Sequence, residues 1–180
     1  MAPEVLMEST ATALIGAPVE SVDIADWLFH LTDDEYQRCA PGDHVAAGAT
    51  TTDDGRPMSI NVEQVGPALL IQHYVGDVVT RHHCRLVSDS DNFTPVGRTK
   101  VGVIWELTVT GNGENECTFT NHVVVLSTDD YLSFLDSHGV PLDLASTEGQ
   151  TALERHNNLE TPLYAKSIER MTGARAGVRA

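Results

Sequence analysis

The sequence predicts an α+β protein in which a curved antiparallel sheet surrounds one long C-terminal helix. Strand-like segments separated by turns occupy most of residues 45–126. Two short helices precede them, and apolar residues at helical spacing occupy residues 146–172. A curved sheet wrapped around the last helix satisfies this order of elements and leaves a cavity between the two.

The first elements are a strand and two short helices. Met7–Ile15 alternates as a strand does, and the Gly-Ala-Pro that follows predicts a turn. Val19–Phe29 carries a helical stripe of apolar residues. Thr32 followed three residues later by Glu35 has the form of a capping box, which predicts a second helix ending near Cys39.

Six more strands are predicted, and turn residues lie between several of them. They are Val45–Thr52, Met58–Val65, Ala68–Val75, Val78–Val87, Lys100–Thr110 and Glu116–Leu126. The Gly-Asn-Gly-Glu-Asn at residues 111–115 predicts that the last two form a hairpin.

Two helices are predicted to complete the chain. The first is a short helix over Asp129–Ser137. The second is a long helix over Ser146–Thr172, which Pro162 is expected to kink and Gly173 to end. Residues 174–180 are expected to form a flexible tail.

Composition restricts the class of protein. A length of 180 residues suits one domain, residues 1–180. Acidic residues outnumber basic ones by 26 to 11, and the net charge of −15 argues against nucleic acid or an anionic membrane as partner. Three widely spaced cysteines without a CxxC favour a reducing cytoplasm, and neither a signal peptide nor a membrane span is expected.

The most informative spacing is that of His156 and Glu160 in the predicted last helix. Residues four apart lie on one helical face, and imidazole and carboxylate are both good zinc ligands. A pair with this spacing is also common on exposed helical surfaces, so the prediction of a metal site depends on two further residues. His44 stands at the start of the first long strand, where it can enter the cavity. Glu63 lies late in the next strand.

The orientation of Glu63 is open at this stage. Ser59, Asn61 and Glu63 share one face of their strand, and the opposite face is apolar. If the apolar face lines the cavity, Glu63 points outward and cannot be a ligand. If the cavity is polar and holds a metal, the polar face of the strand is the inner one and Glu63 points into the cavity.

The order of elements resembles the START-like, or SRPBCC, helix-grip superfamily, which includes polyketide cyclases and lipid carriers. Within it, Tyr36…Pro41-x-Asp43-His44, the Glu63 segment and His156-x3-Glu160 resemble the 2,4-diacetylphloroglucinol hydrolase family, which includes phloretin-hydrolase-like enzymes. That resemblance implies a zinc ion, or another divalent metal, bound by His44, Glu63, His156 and Glu160. It also implies hydrolysis of a carbon–carbon bond between an acyl group and a phenolic ring.

Such a reaction needs a proton donor for the ring carbon. The candidates are polar residues of strands that could line the cavity: His73, Tyr74, His82 and His122. One face of the strand that begins at Lys100 is apolar and is expected to form core or cavity wall, while Glu106 faces solvent. The residues of that face are Val101, Val103, Trp105, Leu107 and Val109.

Three functions are consistent with the sequence. The first is a metal-dependent hydrolase of a small phenolic or polyketide-like ketone. The second is a metal-free cyclase or isomerase that uses the same cavity. The third is a non-catalytic carrier of an apolar small molecule. All three take a small aromatic or polyketide ligand, and an exposed sheet edge allows a homodimer.

Overall fold

The computed structural model describes residues 3–178, and its centre is one seven-stranded antiparallel sheet. The strands are Val5–Ile15 (β1), His44–Thr51 (β2), Pro57–Val65 (β3), Ala68–Val79 (β4), His83–Thr94 (β5), Gly97–Gly111 (β6) and Cys117–Leu126 (β7). Their spatial order is β1-β7-β6-β5-β4-β3-β2. The first strand therefore pairs with the last, and β2 forms the opposite edge.

Within residues 3–178, four α-helices accompany the sheet. They are Ile24–Phe29 (α1), Asp33–Cys39 (α2), Asp129–His138 (α3) and Leu142–Val178 (α4). Helix α4 is 37 residues long and packs against the inner face of the sheet, chiefly along β1. No helix within residues 3–178 has the length and apolar character that crossing a bilayer demands. The predicted α+β fold, with a curved sheet around a long C-terminal helix, is confirmed.

The inner face of the sheet has an apolar half and a polar half. On β6 the five residues predicted to share a face are all buried: Val101, Val103, Trp105, Leu107 and Val109. Cys117 and Phe119 of β7 continue this apolar surface. On β3, β4 and β5 the buried positions are instead mostly polar: Ser59, Asn61, Glu63, Gln72, Ser88, Ser90 and Asn92. A polar inner face inside a cavity indicates a site for a polar ligand or an ion.

Capping side chains set the starts of the short helices. Thr32 accepts a hydrogen bond from the Glu35 amide at 3.3 Å, which confirms the predicted cap of α2. The predicted helix over residues 19–29 is interrupted, because Val22 and Asp23 are extended. Asp23 caps α1 by accepting from the Asp26 amide at 3.0 Å, so a short 3-10 helix and α1 replace one longer helix.

The predicted strand over residues 78–87 is wrong. The chain turns after Val79, and Thr80 closes the turn by bonding to His83. No glycine or proline marks this turn, and valines on both sides continue the strand pattern. Strand β5 then extends through the polar residues 88–94, which the sequence left unassigned because their buried face is made of serine and asparagine.

The last helix is longer than predicted. It begins at Leu142 rather than at Ser146, continues across Pro162, and passes Gly173 to reach Val178. The predicted stop at Gly173 is therefore wrong. Most of the predicted flexible tail, residues 174–178, belongs to the helix, and residues 179–180 lie outside the described residues.

Candidate metal centre

The structure brings together His44, Glu63, His156 and Glu160, four residues far apart in the chain. One ligand atom from each lies within 4.8 Å of all the others, and all four residues are buried. His44 Nε2 is 3.1 Å from Glu160 Oε2 and 3.6 Å from Glu63 Oε2. His156 Nε2 is 3.4 Å from Glu63 Oε2 and 3.5 Å from Glu160 Oε2. Two imidazole nitrogens and two carboxylate oxygens thus face one point.

Three elements supply these side chains. His44 opens β2 and pairs directly with Glu63 of β3 in the sheet register. The turn before it contains Gly42 in the left-handed region, with a φ of 90°, and a register shift follows His44. His156 and Glu160 come from adjacent turns of α4. The sheet edge and the closing helix therefore each contribute two of the four side chains.

The polar face of β3 points inward, which settles the orientation of Glu63. Ser59, Asn61 and Glu63 are buried, whereas the apolar residues between them are only half-buried. Ordinary strand alternation is kept, but the side that lines the cavity is the polar one. The alternative in which Glu63 points into solvent is excluded.

Each histidine is held by a hydrogen bond to its other nitrogen. His44 Nδ1 lies 2.7 Å from the carbonyl oxygen of Tyr36, whose ring stacks on the imidazole at 3.7 Å between centroids. His156 Nδ1 lies 3.0 Å from Asp43 Oδ2. Since a carbonyl and a carboxylate only accept, both Nδ1 atoms must donate, and both Nε2 atoms are left to face the cluster.

Each carboxylate is held in the same way. Gln72 Nε2 donates to Glu63 Oε1 at 2.8 Å, and Asn121 Nδ2 donates to Glu160 Oε1 at 2.9 Å. The Tyr36 hydroxyl also donates to Glu63 Oε2 at 2.8 Å. These amides occupy the oxygens that point away from the cluster, so the two Oε2 atoms remain directed at it.

A buried tryptophan fixes the Asn121 amide in turn. The Trp105 indole N–H can only donate, and it lies 2.8 Å from Asn121 Oδ1. The amide nitrogen of Asn121 must therefore face Glu160 and Thr161. Trp105 also lines the cavity, so one side chain contacts both the ligand space and the support of Glu160.

Opposite charges inside the cluster shift the pKa values of its members. Burial by itself raises the pKa of Glu63 and Glu160, but the positive charge of the nearby His156 lowers both below their usual range. Burial lowers the pKa of His156, but Glu160 and Glu63 outweigh it and raise that pKa to about 12. The two buried carboxylates thus require a positive charge between them.

These residues suit a divalent cation. His156 Nε2 is buried without a hydrogen-bond partner among the described residues, an arrangement expected of an atom that binds a ligand or an ion. Two neutral imidazoles and two carboxylates balance a charge of two, and nitrogen and oxygen donors are typical of zinc. The chemistry of the donor set and the orphaned nitrogen both support the predicted metal site.

A cavity of about 350 Å³ opens from the cluster between the sheet and helices α3 and α4. Glu63, His156 and Glu160 form part of its wall. The wall also contains the aromatic rings of Tyr74, Trp105 and Tyr164. The centroid of the Trp105 ring is 5.1 Å from that of Tyr74 and 6.0 Å from that of Tyr164. Much of the remaining wall is apolar and includes Phe134 and Leu135 of α3. The volume is in the range of small-molecule sites.

The structure separates the candidate proton donors. Tyr74 is buried and lines the cavity. His73 is exposed, and His122 bonds to Glu8 at 2.8 Å on the outer face of the sheet. Neither of these two candidate histidines lines the cavity, because neighbouring strand residues face opposite sides of the sheet. His82 lies in the turn before β5, outside the cavity wall.

Sequence reasoning missed the residues that support the cluster. Gln72, Asn121 and Trp105 each hold a ligand or its partner, and Asn92 lines the cavity. A usable signal was present in β5, where Ser88, Ser90 and Asn92 repeat every second residue. Polar residues at period two predict a strand whose polar face could be the inner one.

Solved structures with the same fold come from several kinds of protein. The Zhui aromatase/cyclase of a Streptomyces species matches with a TM-score of 0.60 and 11% identity, covering 94% of each chain. A START superfamily protein of Mycobacterium smegmatis matches with a TM-score of 0.53 and 13% identity, covering 93% of this chain and 98% of that one.

Norcoclaurine synthase of Thalictrum flavum, solved as a point mutant with a transition-state analogue, matches with a TM-score of 0.53 and 11% identity. It covers 98% of this chain and 99% of its own. No protein-family model and no curated protein sequence matches the chain. At these identities the likeness establishes the fold alone, which is a helix-grip fold.

Proposed function

We propose that this protein is a metal-dependent hydrolase that cleaves the bond between an acyl group and an aromatic ring in a small phenolic or polyketide-like ketone. The observation that carries the proposal is the convergence of His44 Nε2, Glu63 Oε2, His156 Nε2 and Glu160 Oε2 at the polar part of the cavity wall. The motifs that resemble the 2,4-diacetylphloroglucinol hydrolase family support the same reaction.

The roles of the residues follow from their positions. His44, Glu63, His156 and Glu160 would hold the cation, and their hydrogen-bond partners would keep each ligand atom aimed at it. A divalent cation bound there would polarise a ketone oxygen and make water more acidic. The rings of Trp105 and Tyr164 would pack against the substrate's aromatic ring and exclude bulk water.

Tyr74 is the proposed proton donor. In the overall reaction, the water oxygen bonds to the acyl carbon, the acyl–aryl bond breaks, and the electron pair of that bond stays with the ring carbon, which takes a proton from Tyr74. One proton of the water stays with the acid that is formed, and the other restores the Tyr74 hydroxyl. A phenolic ring delocalises that charge until a proton reaches the carbon. Burial raises the pKa of Tyr74, and the charges of Glu63 and Glu160 raise it further, so the hydroxyl is protonated when the substrate binds.

The proposal is tested by measuring whether the protein binds a metal ion. Protein purified without chelator is expected to contain about one equivalent of zinc or another divalent ion by elemental analysis, since the four ligands form one site. His156→Ala should lose the metal and the hydrolysis of an acylphloroglucinol, while His73→Ala should keep both. Wild-type protein that binds no divalent ion from a metal buffer at neutral pH would overturn the proposal.

A metal-free cyclase is the second candidate, and the fold comparisons favour it. The structures with the same fold include aromatase/cyclases, one of which matches over 94% of each chain. In that function the same cavity would fold and dehydrate a polyketide chain with its polar side chains. Turnover of a poly-β-ketone that survives both chelation and His156→Ala would support it against the hydrolase.

A further inference from the structure

The outer face of the sheet carries an apolar row that crosses five strands. Each member lies directly opposite the next in the sheet register, and Val87 at the centre of the row is 40% exposed. The members are Met58 of β3, Val75 of β4, Val87 of β5, Ile104 of β6 and Val124 of β7. A continuous apolar row on the solvent side of a sheet, unlike scattered single residues, indicates a surface that another protein covers.

Charged residues of β5 flank this row in a definite order along the strand. His83 and Arg85 precede Val87 on the outer face. Asp89 and Asp91 follow it on the same face. A second copy of this strand could lie across the first in the opposite direction, with the two Val87 side chains in contact. Each basic residue would then face an acidic one, so the surface is complementary in charge to itself.

Asp89 is the charge in this order that lacks a partner in its own chain. It is exposed, and its carboxylate forms no hydrogen bond or ion pair within residues 3–178. Asp91, in contrast, contacts Arg98 at 2.7 Å. Arg85 contacts Asp77 but keeps further N–H donors, because a guanidinium carries five. Arg85 of one copy can therefore bind Asp89 of another without giving up its own contact.

The β2 edge of the sheet is less suitable for pairing than this face, although the sequence predicts a homodimer through an exposed edge. Two side chains of α2 take the place of a further strand there. Gln37 donates to the Val45 carbonyl at 2.7 Å, and Asp33 accepts from the Ala47 amide at 2.8 Å. These contacts occupy backbone groups in the first half of β2, so only its second half is open to another strand.

The size of the outer face is consistent with a weak dimer. Five strands span about 20 Å, and residues 83–91 of β5 span about 27 Å along the strand. The resulting area of roughly 540 Å² is below the ~800 Å² per partner of stable complexes, so we expect a dissociation constant in the micromolar range. The net charge of −15 on each chain opposes association, but at about 0.15 M salt this repulsion is screened beyond about 8 Å.

We propose that a second copy of this chain docks on the outer face of the sheet, about a two-fold axis that runs along the apolar row. Arg85 of each copy then contacts Asp89 of the other, and the two Val87 side chains meet, as an isologous interface requires. Sheets packed face to face lie about 10 Å apart, a gap that arginine and aspartate side chains together span. The cavity lies on the inner face, so the cavities of both copies stay open. The inference does not depend on the proposed hydrolase.

Sedimentation equilibrium of the full chain across micromolar concentrations tests the proposal, and the wild type is expected to dimerise. Arg85→Asp and Asp89→Arg should each weaken self-association at least about tenfold, because two like-charged contacts replace two opposite ones. An equimolar mixture of the two variants, one of them carrying a fluorescent dye, should form heterodimers. In the mixture both contacts again join opposite charges, so the arrangement itself is tested.

Matched controls change the same charge away from this face. Lys166→Asp on α4 and Glu114→Arg on the β6–β7 turn alter exposed residues, and both variants should dimerise as the wild type does. Val87→Lys should abolish the dimer, whereas Leu144→Lys on α4, at a residue that is 50% exposed, should not. Thermal unfolding of each variant verifies that it is folded.

Three results would overturn the proposal. The first is a wild type that stays monomeric throughout the micromolar range. The second is a dimer that both charge reversals leave intact, or that the control variants weaken equally. The third is a mixture of the two reversed variants that does not associate although each is folded. Dimerisation that the single reversals remove and their mixture restores would establish the contact between Arg85 and Asp89 of two copies.

Discussion

Asp43 Oδ2 lies 3.0 Å from Nδ1 of His156, a residue 113 positions away in the chain. Asp43 directly precedes His44, so one short segment supplies a ligand of the cluster and the orienting partner of another. The same carboxylate also pairs with Arg155 on the surface at 3.3 Å. The contact therefore links the start of β2 to α4 at the candidate metal centre.

Asp43→Ala is expected to weaken metal binding by about 10- to 100-fold, because His156 loses the acceptor that fixes its tautomer and ring orientation. The measurement is competition with a chromophoric zinc chelator. Asp43→Asn should recover part of the affinity, since the amide oxygen can accept from Nδ1. Arg155→Ala removes the other partner of Asp43 and should change little. Equal losses in Asp43→Ala and Arg155→Ala would contradict this role.

Trp105→Phe is expected to weaken metal binding through Asn121. Loss of the indole N–H leaves Asn121 Oδ1 unpaired and free to rotate toward Glu160 Oε1, where two acceptors would oppose each other. The free energy of unfolding should also fall by roughly 1–3 kcal/mol, the cost of an unpaired buried acceptor.

Trp27→Phe is a matched control for that change. Its indole N–H bonds to Ser167 of α4 at 3.0 Å, and both residues are buried. It should lose a similar amount of stability and keep its affinity for metal. If both variants bind zinc as the wild type does, the indole of Trp105 has no positioning role.

Tyr74→Phe tests the proton donor. Loss of the hydroxyl is expected to lower the rate of hydrolysis by about 10²–10⁴, the usual contribution of a general acid, while zinc content stays constant. His73→Ala and His122→Ala, on the outer face of the sheet, should retain the wild-type rate. Steady-state kinetics on an acylphloroglucinol measures all three. An unchanged rate in Tyr74→Phe would assign the proton to another group.

Glu35 is expected to make stability depend on pH. It accepts hydrogen bonds from Arg38 of its own helix and from Arg170 of α4. Burial raises the pKa of Glu35, but hydrogen bonds from Ser167, Arg170 and Arg38 outweigh it and lower that pKa from 4.5 to about 2. A lowered carboxyl pKa stabilises the fold above pH 4.5, and the contribution disappears as pH falls toward 2.

The variant that measures this contribution is Glu35→Gln. Near pH 7 it should lose roughly 1–2 kcal/mol in denaturant unfolding, a value kept low because the carboxylate is partly exposed. The difference from wild type should shrink between pH 4.5 and pH 3. Glu114→Gln, on the exposed β6–β7 turn, should show no such pH dependence. A difference that is constant with pH would mean that the carboxylate charge is not responsible.

The sequence by itself determined the α+β class and most of the elements. The Thr32 cap, the hairpin at residues 111–115 and the apolar face of β6 were predictable because each depends on residues close together in the chain. The turn after Val79 was not, because no turn residue marks it and backbone pairing with the neighbouring strands decides where it falls.

In the candidate site, too, some features follow from local sequence and others depend on the tertiary structure. Helical spacing alone places His156 and Glu160 on one face of α4. Which face of β3 is inner depends on how the whole sheet curves around that helix, so only the tertiary structure could turn Glu63 inward. The partners Asp43, Gln72 and Asn121 come from separate strands and loops, and no local pattern relates them. Local periodicity therefore fixed the elements, and long-range packing decided which side chains meet.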